Sequence, residues 1–109
     1  MNVWQKAHKL VMDVYEITKK FPKEEKTELV SRMRRAAMNI PIKIAEGFMR
    51  RSPREKETSY KACQEALEEL KYYLILSTDL DYFKESEEIL QATEEVGRML
   101  TGLVRSVKG

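Results

Sequence analysis

The sequence predicts an all-α fold, an antiparallel up-down-up-down four-helix bundle, and three observations carry that reading. Four long segments repeat apolar residues at steps of three and four, the spacing that lines one face of a helix. No segment shows the strict alternation of a half-buried strand. With four Gly and three Pro in 109 residues there is little turn chemistry, so connections should be few and short. The length suits one domain over residues 1–109 with a single core that is marginal by surface-to-volume scaling. An apolar content of 42% beside 35% charged residues fits one buried stripe per helix and charged outer faces.

Helix one is expected over about residues 2–21. Trp4, Ala7, Val11, Val14, Thr18 and Phe21 form its stripe, Leu10, Tyr15 and Ile17 widen it, and Pro22 ends it. His8, the one histidine, lies beside the stripe and reads as a partly buried packing residue, because zinc needs three or four donors. Helix two is expected over 25–50, with Leu29, Met33, Ala37, Ile40, Ile44 and Phe48 inward and a kink at Pro41. A second apolar series, Met38, Ile42, Ala45 and Met49, lies roughly 140° around from the first. A helix apolar on two sides packs on two sides, so these four residues are the expected interface of a homo-oligomer. Scattered surface methionines are the plainer alternative.

Ser52-Pro53-Arg54-Glu55 signals the start of helix three, over 53–79. Ser52 is the cap, Pro53 the first helical residue, and Glu55 completes a capping box. Its stripe is Tyr60, Cys63, Leu67, Leu70, Leu74 and Thr78, with Ala62, Ala66, Tyr73, Leu76 and Leu80 as a second apolar side. Helix four is expected over 84–107 along Ile89, Thr93, Val96, Leu100, Leu103 and Val107. It is weakened by Gly97 and Gly102 at about 1 kcal/mol each relative to Ala.

Charge is segregated along the chain. Ser31–Lys61 holds nine Lys or Arg against three acids, although the whole chain is only +2, and Ala62–Gly97 holds two bases against ten acids. Arg32, Arg35, Lys43 and Arg50 fall with Asn39 and Glu46 on one line of helix two, and Arg51, Arg54 and Lys56 cluster at the turn into helix three. Arginine offers a planar fork of donors for phosphate oxygens, and a helix start adds backbone N–H groups. The same residues also read as a solvated face neutralised by the acidic helices.

Other chemistry lacks its residues. The lone Cys63 forms no internal disulfide, fits a reducing cytosol, and sits on a core stripe where packing is its role. Adjacent carboxylates such as Glu68-Glu69, Glu87-Glu88 and Glu94-Glu95 point apart and read as solvated. One histidine cannot furnish the paired Glu-x-x-His motifs of a di-iron bundle, and no Gly-rich phosphate loop, Ser-His-Asp set or zinc pattern is present. The aromatics fall mainly at core-like positions, so base stacking is not obviously provided for. Neither a signal pattern nor an apolar run of membrane length occurs, so the expectation is a cytoplasmic, non-enzymatic protein with no metal, no cofactor and no membrane.

Several blocks resemble a known family. These are Trp4-Gln5-Lys6-Ala7-His8, Phe21-Pro22, Arg34-Arg35-Ala36-Ala37 with Ile40-Pro41, Ile44-Ala45-Glu46-Gly47, Arg51-Ser52, and Gly97 to Leu103. Across essentially the whole chain they look like the bacterial four helix bundle proteins, also called 23S ribosomal RNA intervening-sequence proteins, to which the accessory variability determinants of diversity-generating retroelements are related. The resemblance implies a four-helix protomer in a ring-like homopentamer with a basic surface. In the retroelement members it implies nucleic acid and a reverse transcriptase as partners. By position, Arg34, Arg35 and Arg51 match the family's basic motif, and Pro41, Ala45 and Gly47 its structural signature. Glu46 matches too, and reads as a partner for an arginine. Ile42 and Lys43 depart from the small or polar residue and Asn usual after the motif proline.

The expectation is thus an oligomeric, sequence-independent RNA- or DNA-binding bundle. Arg32, Arg34, Arg35, Lys43, Arg50, Arg51, Arg54 and Lys56 are its candidate contacts, although Arg34 is equally placed to pair within an interface. The alternative is a protein–protein scaffold whose basic stripe holds the oligomer or an acidic partner.

Overall fold

The computed structural model describes residues 2–84 and 86–108. They form a four-helix bundle: α1 (Asn2–Thr18), α2 (Leu29–Met49), α3 (Pro53–Asp79) and α4 (Glu87–Lys108), with one 3₁₀ turn at Lys23–Glu25. No strand occurs among the described residues. Each helix packs on two others: α2 on α1 and α3, α4 on α3 and α1. The contact between α2 and α3 is the widest, and that between α1 and α4 the narrowest.

α3 spans the expected residues, because its signals are local. Ser52 Oγ accepts from the Glu55 N–H at 3.1 Å, and Pro53 needs no partner for an N–H it lacks. At the other end Asp81 adopts φ 62°. The Tyr82 and Asp81 N–H groups bond back to the carbonyls of Ser77 and Thr78 at 2.9 and 3.0 Å, a Schellman closure.

Most of the remaining boundaries move inward, although α1 starts at Asn2 as expected and α4 runs one residue further, to Lys108. α1 stops at Thr18, whose hydroxyl donates to the Val14 carbonyl at 2.8 Å, and Phe21 folds back beyond the helix into the core. α2 begins at Leu29 rather than 25, since the 3₁₀ turn at Lys23–Glu25 and a further turn over residues 26–28 come before it. α4 begins at Glu87 rather than 84; Ser86 Oγ accepts from the Ile89 N–H at 3.3 Å and caps it. The expected helical placement of Glu85 lies outside the described residues. Helical geometry continues through the buried Pro41.

The core contains Ala7, Leu10 and Val14 of α1, Met33, Ile40 and Ile44 of α2, Cys63 and Leu70 of α3, and Val96 and Leu100 of α4. Two large aromatics expected there are outside it. Trp4 is 38% exposed, with Val3 turned inward in its place, and Phe48 is 61% exposed. Gly47 takes the inward position because a Cβ there would meet Tyr60 Cε1 at 2.6 Å; Phe48, one residue on, is rotated out. His8 is exposed rather than partly buried, and stacks on Trp4. On α3, Ser77 is buried where Thr78 was expected, and Ala66 belongs to the core; the exposed apolar residues are Tyr72 and Ile75. On α4, Val104 is buried while Leu103 and Val107 are half-buried.

Candidate nucleic-acid interface

The eight basic candidates divide by what holds them. Arg34 is part of the bundle's own bracing. Its Nε donates to Thr18 Oγ1 at 3.0 Å and its guanidinium lies 4.2 Å from the centre of the Tyr15 ring, joining α1 to α2. Lys56 is equally committed, since its Nζ donates to the carbonyls of Gly47 and Phe48 at 3.1 and 3.0 Å. Those carbonyls lie in the last turn of α2, where Gly47 also accepts the Arg50 N–H at 3.2 Å, so a lysine of α3 helps close the neighbouring helix. The same ammonium lies 5.8 Å from the Phe48 ring centre.

Arg32 and Lys43 make short-range surface pairs, with Glu28 at 3.3 Å and with Glu46 at 3.1 Å. Pairs this open to water contribute at most about 1 kcal/mol and yield readily to a competing anion. Glu46 is thereby a lysine's partner rather than an arginine's. Arg35 lines a cleft of about 360 Å³ between α2 and α3 with Arg32, Asn39, Glu69 and Tyr73. The Tyr73 hydroxyl donates to Glu69 at 2.7 Å, and that bond, followed by burial, pushes the phenol up from its ordinary value.

Arg50, Arg51 and Arg54 are exposed, and with Arg35 they have no carboxylate within 4 Å among the described residues. Their support is tight. Gly47 lets α2 approach Tyr60 and Ser59 of α3, Ser52 caps the next helix, and Lys56 fastens the two together. Arg50 and Arg51 are thus held on a three-residue turn between two helix ends, and Arg54 in the first turn of α3 beside it.

Sequence reasoning passed over the end of α4, which reaches the same region. Lys108 Nζ lies 3.2 Å from Glu57 Oε2, and Lys61 lies 3.3 Å from the same oxygen. Lys108 first and Lys61 second hold the Glu57 carboxyl below its ordinary range. Basic residues in the last turn of α4, Arg105 and Lys108, were the available signal.

Of the expected interface residues, Met38 is half-buried and accepts the Tyr15 hydroxyl at 3.7 Å. Ile42, Ala45 and Met49 are exposed, Met49 to 78%. Cys63 is fully buried, and burial pushes its thiol up to about 12. No described helix is long and apolar enough to cross a membrane, and no cluster of three metal-ligating side chains occurs among the described residues.

No curated protein matches the chain significantly. A family model matches residues 1–102, and the chain belongs to that family, the 23S rRNA-intervening sequence proteins.

Proposed function

We propose that this protein is a non-enzymatic, oligomeric nucleic-acid-binding bundle that grips the phosphate backbone. The observation that carries this reading is the unneutralised trio Arg50, Arg51 and Arg54 at a braced turn. Cations held on a rigid support lose little freedom when phosphate arrives, and their forked donors match its oxygens. Arg35, Arg32 and Lys43 extend the contact along α2, while Arg34 and Lys56 serve the support. No element supplies a pattern of base-edge readers, so binding is sequence-independent.

The same proposal includes the finer architecture. Successive helices run in opposite directions, which the pairings Thr18–Arg34 and Tyr15–Met38 between α1 and α2 support. The exposed Ile42, Ala45 and Met49, with Met38 at their edge, join protomers into a ring, a pentamer by the resemblance.

The test pairs light scattering after size exclusion with a salt titration of RNA binding. Three phosphates at the turn alone give a slope of log affinity on log salt of about −2 to −3, and the further cations of α2 steepen it to about −4 to −5. In Arg51→Glu with Arg54→Glu, binding is lost at moderate salt while the helical signal stays. Unchanged affinity in that double variant would remove the turn from the site, and a monomeric particle would remove the oligomer.

A further inference from the structure

Three features of the bundle stand outside the account above. The α2–α3 cleft around Arg35 carries two arginines near two glutamates and one tyrosine, and so has no clear sign of charge to offer a ligand. The groove between α1 and α4 mixes Lys6, Lys9 and Arg98 with Asp13, Glu88 and Glu95, which leaves it similarly uncommitted. Two of the exposed aromatics, Trp4 and Phe48, are different, because they sit at the end of the bundle that carries the unneutralised arginines.

Trp4 lies eleven residues before Tyr15, about three turns along and about 20° off the same line, and Tyr15 faces α2. Phe48 lies fourteen residues beyond Arg34, about 40° off its line, and Arg34 faces α1. With the two helices running oppositely, both rings flank the same end of the α1–α2 groove. There Trp4 is 38% and Phe48 61% exposed. The Trp4 and His8 rings are already parallel, 8° apart with centroids at 5.3 Å, so they form an offset stack that a further flat ring can extend. Phe48 is two residues from Arg50 and is held beside the turn by Lys56.

Large flat apolar faces next to a cluster of arginines match one chemistry. A nucleotide without a pairing partner offers a base to the ring and a phosphate to the cation, whereas in a duplex the bases are stacked on each other and out of reach. A purely apolar partner would leave the three arginines unmatched, and a purely anionic one would leave the rings in water. We propose that Trp4, His8 and Phe48 form a base-stacking platform beside Arg50, Arg51 and Arg54, fitting this end of the bundle to unpaired nucleotides rather than to duplex. The inference rests on the phosphate-binding reading and on the opposite running of α1 and α2.

The chain supplies its own reporter, because Trp4 is its one tryptophan. The full-length protein is titrated at low salt with a labelled oligouridylate, and with an RNA duplex of equal length. Label anisotropy and Trp4 emission are followed together. The expected result is quenching of Trp4 in step with anisotropy for the single strand, and binding of the duplex without quenching. Phe48→Ala, at an exposed position that the fold does not need, weakens the single strand about fivefold or more and so narrows its preference over duplex. An anisotropy rise that leaves Trp4 emission unmoved would overturn the platform while the phosphate reading stands. No anisotropy change at any salt would overturn both. Trp4 emission that shifts with protein concentration and ignores the oligonucleotide would overturn the platform and assign the patch to a second copy of the chain.

Discussion

The two ends of α2 spend the same residue types in opposite ways. At its start the chain takes a long route through Lys19–Glu28, where four lysines alternate with three glutamates. The aromatics there close on each other: Phe21 lies 5.3 Å from Tyr82 and 6.4 Å from Phe83, and the Tyr82 hydroxyl donates to Glu25 at 2.8 Å. At its finish the chain turns in three residues, Phe48 faces water, and three arginines have no carboxylate within 4 Å among the described residues. One end closes its aromatics internally and intersperses its cations with acids. The other holds its cations and rings fixed but unsatisfied, which is what a surface awaiting a ligand requires.

The largest effect expected from this contrast is on stability. Phe21→Ala empties a packed site and costs about 3 kcal/mol, whereas Phe48→Ala changes stability by no more than about 0.5 kcal/mol. Urea unfolding of the two variants measures both, and equal losses would erase the distinction between the ends. Gly47→Val comes next, at about 2 kcal/mol, because its side chain must displace the buried Tyr60 ring; a midpoint matching the parent would mean that α2 and α3 are not held closely at the turn. Smallest is Lys56→Ala, about 1 kcal/mol from two lost bonds to the end of α2, with the change read in the same titration.

The sequence and the structure part company where local signals end. α3 was legible to the residue because Ser52, Pro53 and Glu55 set its start within one turn of chain. The start of α4 was missed by three residues even though Ser86 is a cap of the same type, since Lys84 also continued a helical pattern. Phe48 was misplaced because a step of four from Ile44 is as good on paper as a step of three; only the approach of Tyr60 selects Gly47. Lys56 looked like a surface cation, and Arg34 like either a phosphate contact or a partner within an oligomer interface. Their actual partners, Thr18 and the carbonyls of Gly47 and Phe48, belong to other helices, and no spacing rule within one helix reveals such a bond. Charge segregation, by contrast, is a property of the sequence itself, and the arginine turn was visible from it.

The unequal helix contacts set an order of loosening. α1 and α4 share the narrowest contact, and α4 carries Gly102, around which a Cβ would find open space. α2 and α3 share the widest, closed at one end by Gly47 against Tyr60 and by Lys56. Thermal fluctuations therefore open the α1–α4 seam first and the α2–α3 hairpin last. The arginine turn belongs to the hairpin, so it keeps its shape in the partly opened molecule that forms just before the fold is lost.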